Sequence, residues 1–155
     1  PQAIEIIMRV LVLLALVALS IGYEADRVNE TLPNCSEYQM YSGYLDIGNG
    51  KKHHYVYVES ELETDPLVFW FNGGPGCSSM IGFIQEHGPC VFLEDSDGLP
   101  QDNPYAWTKF ASMVYVESPA GVGYNEGSVL KYKWDDESVS YDNLNTTVQF
   151  FRRYP

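Results

Sequence analysis

Basic residues are scarce in this chain: 9 Lys and Arg stand against 21 Asp and Glu in 155 residues, a formal charge of −12. Nucleic acid and anionic membrane surfaces call for the opposite sign, so that balance argues against both as partners. Long apolar runs are missing too. The most apolar stretch, Val10 to Leu19, has ten residues, too few to span a bilayer as a helix. Cysteine is limited to Cys35, Cys77 and Cys90, and the chain has neither an internal repeat nor a low-complexity tract. The nucleophile-elbow pattern G-x-S-x-G occurs nowhere in it, so no serine here has the local sequence of a hydrolase nucleophile.

What is present suffices for one packed domain, with 45% hydrophobic and 14% aromatic residues. The chain reads as globular. Met8-Arg9 opens a short positive segment before the apolar run, and Ala18-Leu19-Ser20 or Ser20-Ile21-Gly22 offers small residues for cleavage. Residues 8–22 therefore read as a secretory signal that leaves no membrane anchor once removed. Residues 1–7 precede that methionine and have no assigned role. In a lumenal protein Asn29, Asn34 and Asn145, each heading an N-x-[ST] sequon, become candidate glycosylation sites. Cysteines in an oxidising compartment mostly pair, and an odd number leaves one over.

The secondary-structure signals are those of a mixed α/β chain. Segments 43–47 and 54–58 are β-rich and flank Gly48-Asn49-Gly50, the expected turn of a hairpin. His53 and His54 fall in that hairpin, at what read as exposed strand positions. Segments 67–71 and 113–116 are continuous apolar runs, the pattern of strands buried on both faces. Toward the C-terminus Tyr141, Leu144, Val148 and Phe151 recur at helical spacing, the expected apolar face of a helix that Tyr154-Pro155 would end.

The most informative segment is the loop Phe71-Asn72-Gly73-Gly74-Pro75-Gly76-Cys77-Ser78-Ser79, directly after an apolar strand. Its glycines open backbone conformations closed to other residues and let a ligand approach the N–H groups. A phosphate cradle does not fit, because no lysine follows at P-loop spacing and Pro75 removes a donor. Ser78 and Ser79 lack nucleophile flanks and read as helix-capping or packing residues. Cys77 reads as a disulfide half ahead of a reactive thiol. An oxyanion hole remains: backbone donors fixed at the carboxyl end of a central strand.

The segment Trp70 to Ser79, W-F-N-G-G-P-G-C-S-S, resembles the W-L-N-G-G-P-G-C-S-S motif of the serine carboxypeptidases. Glu86-His87-Gly88-Pro89 is similar to that family's E-x-G-P, Asn103 to Trp107 to its N-x-x-S-W, and Val116 to Tyr124 to its D-x-P-x-G-x-G-F. Segments 25–28 and 41–45 resemble the start of its mature chain, so the likeness runs over residues 25–155. Departures are mild: Glu117 stands where Asp is common, Ala106 where Ser is common, and Asn34 where Gly is usual.

The resemblance implies that residues 26–155 are the N-terminal portion of an α/β-hydrolase fold, a central mostly parallel sheet with an N-terminal antiparallel hairpin. It implies a serine-type carboxypeptidase that releases C-terminal residues through an acyl-enzyme, in a lysosome or vacuole or outside the cell. The nucleophile of G-E-S-Y-A-G and the triad Asp and His are expected beyond Pro155. Gly74 would give one oxyanion N–H. Trp70, Asn72, the N–H of Gly73 and Glu86 would hold the substrate's terminal carboxylate, and His87 would make a local polar contact beside Glu86. Cys77 would pair with a cysteine beyond residue 155, while Cys35 and Cys90 have no assignable partners. Substrates would be peptides with a free C-terminus, and neither cofactor nor metal is called for. Two other readings remain open: an acyltransferase of the same family, and a truncated binding or regulatory protein.

Overall fold

The computed structural model describes residues 4–10, 24–62, 66–94, 97–128 and 132–155. Most of the expected signal segment, residues 11–22, lies outside them. No helix among the described residues is long and apolar enough to cross a membrane.

The strands are β1 (Met40–Gly48), β2 (Lys51–Val58), β3 (Leu67–Phe71), β4 (Cys90–Phe92), β5 (Pro100–Asp102), β6 (Ser112–Val116) and β7 (Glu126–Gly127), with one long helix, α1 (Asp136–Arg153). β1 and β2 form the expected antiparallel hairpin, its turn made by Asn49 and Gly50 at φ 55° and 73°. The main sheet runs β1-β2-β6-β3, with β7 added to β2. β2 pairs antiparallel with β6, and β6 pairs parallel with β3 from Leu67↔Ser112 to Phe71↔Val116. That parallel pair positions the site. Both strands end at the same sheet edge, so the loops that follow them are neighbours although about 40 residues apart in the chain.

Alternation along β6 divides the core. Met113 and Tyr115 face Met40, Val56, Val58, Trp70, Phe83 and Trp107, while Val114 and Val116 face Leu45, Tyr55, Phe69 and Phe150 on the other side. β6 is buried as its continuous apolar run implies. β3 is only half-buried along its length, because it is the last strand of the sheet among the described residues.

α1 is where the chain spacing places it, held at its start by a capping box between Asp135 and Ser138 and ending at Arg153. Its orientation differs from expectation. Tyr141, Leu144, Val148 and Phe151 point outward, 40–60% exposed, and the face laid on the hairpin carries Asp142, Thr146 and Phe150. Polar residues can face inward here because β2 supplies their partners. Lys51 Nζ donates to both Asp142 carboxylate oxygens at 2.7 Å, and His53 Nδ1 lies 2.8 Å from Thr146 Oγ1.

The same packing corrects the reading of the histidines. His53 and His54 are buried, because β2 is flanked by β1 and β6 and covered on its two faces by α1 and by Tyr44 and Tyr124. Desolvation pushes the His53 imidazole down to about 4. A second correction concerns the cysteines: Cys35 and Cys90 are bonded to each other across 55 residues of sequence. The bond ties the N-terminal segment to the small β4-β5 sheet, where Ser36 also donates from its N–H and hydroxyl to Asp102 at 2.7 Å. Spacing alone carries no sign of such a pairing.

Candidate active site

β3 delivers Trp70 and Phe71 to the sheet edge, and the chain then turns through Asn72 to Ser79. Gly74 at φ 128° and Gly76 at φ 100° occupy backbone space that side-chain-bearing residues avoid. A Cβ on Gly74 would also lie 3.1 Å from the nitrogens of Gly76 and Cys77. The N–H groups of Gly73 and Gly74 make no hydrogen bond among the described residues. Free donors, adjacent and fixed, are what an anion or a developing oxyanion requires.

Asn72 is oriented by its neighbours. Its Oδ1 accepts from Trp70 Nε1 at 3.0 Å, which leaves the amide NH2 available to a ligand, and its backbone N–H donates to Ser79 Oγ at 2.9 Å. Gly82 permits that arrangement, since a Cβ there would lie 2.5 Å from Trp70 Nε1. Ser79 is fully buried and its hydroxyl donates to Val116 O at 2.6 Å, so it bridges the ends of β3 and β6. Ser78 Oγ accepts from Met80 N at 3.1 Å, the capping role its sequence implies, and donates to Glu117 Oε1 at 2.7 Å.

Glu86 closes the helical turn Gly82–Glu86 with a side chain half open to solvent, its Oε2 3.9 Å from His87 Nε2. His87 is buried in an aromatic nest, 4.3 Å from the Trp70 ring, 4.4 Å from Trp107 and 5.6 Å from Tyr115, with Nδ1 3.2 Å from the Tyr115 hydroxyl. Desolvation there lowers its pKa and favours the neutral ring. The Trp70–His87 contact thus ties the glycine loop to the Glu86 segment, and those expected carboxylate-binding residues share one neighbourhood. Beyond Pro75 and Gly76 a cavity of about 510 Å3 opens toward Pro119, Val122, Trp134 and Val139.

Cys77 is exposed and unpaired among the described residues. Asn29, Asn34 and Asn145 are all exposed, Asn145 on the outward side of α1. Sequence reasoning took Ser79 as a capping or packing residue and gave Glu117 no role. A carboxylate following directly on a continuous apolar strand was the available signal for Glu117.

A parallel strand pair with a loop of free N–H groups at its carboxyl edge, an antiparallel hairpin before it and a helix packed behind it form an α/β-hydrolase arrangement. A solved prohormone-processing carboxypeptidase of Saccharomyces cerevisiae has this fold: it superposes with a TM-score of 0.68 at 24% identity, covering 86% of this chain and 32% of that one. The family model for serine carboxypeptidase matches residues 31–155. The lysosomal protective protein of Mus musculus is 44% identical over 121 residues, 76% of this chain and 25% of that protein. Serine carboxypeptidase ctsa-4.1 of Caenorhabditis elegans is 41% identical over 135 residues, covering 84% and 28%. Serine carboxypeptidase 1 of Hordeum vulgare is 44% identical over 124 residues, covering 74% and 25%. The chain belongs to the serine carboxypeptidase family, and it spans about a quarter of the length of these curated relatives.

Proposed function

We propose that the protein carrying this chain is a serine-type carboxypeptidase of the secretory pathway, acting in a lysosome or vacuole or outside the cell on peptides with a free C-terminus. The observation that carries this reading is the pair of unpartnered N–H groups at Gly73 and Gly74, beside an Asn72 amide whose oxygen is already engaged. Asn72 Nδ2 and Gly73 N–H receive the substrate's terminal carboxylate, with Trp70 holding the amide in place and Glu86 hydrogen-bonded to that carboxylate. Gly74 N–H then meets the scissile carbonyl oxygen as it becomes an oxyanion. The nucleophile and the second oxyanion donor come from the part of the protein after Pro155. Residues 8–22 act as the secretory signal, and Cys77 pairs with a cysteine of that later part.

The test is turnover by the full-length protein of a blocked dipeptide with a free carboxylate and of its C-terminal amide. Release of the last residue from the first, with weaker kcat/KM on the second, is the expected result. Equal rates on both, or cleavage only at internal bonds, would overturn the assignment of the carboxylate site.

A further inference from the structure

The geometry points to Glu117 as the positioning residue of the Asn72–Ser79 loop: a buried carboxylate that fixes the backbone donors meant for substrate without touching substrate itself. The inference deepens the proposed function and rests on it. Glu117 follows β6 directly and is fully buried. Its carboxylate accepts from Ser78 Oγ at 2.7 Å and from Ser79 N–H at 3.1 Å, so both serines of the loop hang on one side chain. Ser79 Oγ passes the constraint on by accepting from Asn72 N–H at 2.9 Å. Glu117 is itself held from two sides. Its N–H donates to His54 O at 3.0 Å, and its C=O accepts from Asn125 Nδ2 at 3.0 Å, while Asn125 Oδ1 accepts from His54 N–H at 2.7 Å.

Two further observations set this carboxylate apart from an ordinary structural one. No Lys or Arg pairs with it among the described residues, so its burial is compensated by the loop's own donors. Gly123, at φ 55°, packs so close that a Cβ would stand 2.1 Å from Glu117 Oε1. The chain after Pro119 thus closes over the carboxylate and leaves it the loop as its outlet. Oxyanion stabilisation depends on donors held to a few tenths of an ångström, and such a support provides that rigidity.

The experiment uses the full-length enzyme with Glu117→Leu, Glu117→Gln and Ser78→Ala. Active sites are first counted with a fluorophosphonate, and kcat/KM and the Ki of a peptide-aldehyde transition-state analogue are then expressed per active site. Leu fills the space without accepting a hydrogen bond, and is expected to lower kcat/KM and raise the aldehyde Ki in parallel by about 100-fold. Gln keeps an acceptor for Ser79 N–H and lets the Ser78 hydroxyl reverse, so it should recover to within about tenfold of wild type. Ser78→Ala, which removes one contact, should lose about tenfold and reads the same effect if the Leu variant is not secreted. A purely structural role would reduce the number of active sites and leave the per-site constants unchanged, which would overturn the proposal. Failure of the wild-type protein to release C-terminal residues would instead overturn the functional reading beneath it.

Discussion

A methyl group on Gly82 would stand 2.5 Å from the Trp70 indole nitrogen, so Gly82→Ala must push the ring aside and release Asn72 Oδ1. In the full-length enzyme the expected result is a rise of about tenfold in KM for a dipeptide with a free carboxylate, the scale of one weakened hydrogen bond to a charge. The C-terminal amide should be nearly unaffected; comparing KM for the two substrates checks this. Gly74→Val acts on the other half of the loop. The side chain forbids φ 128° and displaces a donor, so kcat should fall by about 10²–10³ on both substrates. Trp70, Asn72, Gly73 and Gly74 could be picked out as candidates because they lie within ten consecutive residues whose chemistry is local. Glu117 could not, because its contact with Ser78, 39 residues away, exists only once β6 lies beside β3.

At the scale of elements, α1 and the hairpin share a buried polar seam whose titration has a definite sign. His53 is fully buried, and its pKa falls from 6.5 to about 4 by desolvation, against Asp142, which raises it, and with Lys51, which lowers it. The unfolded chain therefore takes up a proton first as pH falls. Stability from this group is complete above about pH 6.5 and is lost on the way down to about 4, by up to about 3 kcal/mol. Urea midpoints of the full-length protein at pH 7 and pH 4.5 should move closer together in His53→Gln. The Lys51–Asp142 pair predicts a second effect. Lys51→Met strands a buried carboxylate and should destabilise by about 3–5 kcal/mol, whereas Lys51→Met with Asp142→Leu should recover most of that, as read by denaturant unfolding. The existence of α1 and its C-terminal end could be read from spacing and from Tyr154-Pro155. Its inward face could not, since Asp142 and Thr146 look like surface residues until Lys51 and His53 are known to lie beneath them.

For the whole molecule, the half-buried β3 and the outward Tyr141, Leu144, Val148 and Phe151 leave apolar surface uncovered among the described residues. Residues 24–155 expressed alone should bind a hydrophobic dye and self-associate on size exclusion, and should take up no fluorophosphonate, since no G-x-S-x-G is present. The hairpin was legible from its turn residues and the strands at 67–71 and 113–116 from their apolar runs, but the Cys35–Cys90 bond was not, because it joins segments that meet only in the folded chain. That bond turns residues 35–90 into a covalent ring, and Trp70, Asn72, Gly73, Gly74 and Glu86 all lie on it. A ring opened once is still one molecule. A protease that cuts a single peptide bond between Cys35 and Cys90 therefore releases no piece, and the nick stays silent on a non-reducing gel until a reductant parts the two ends.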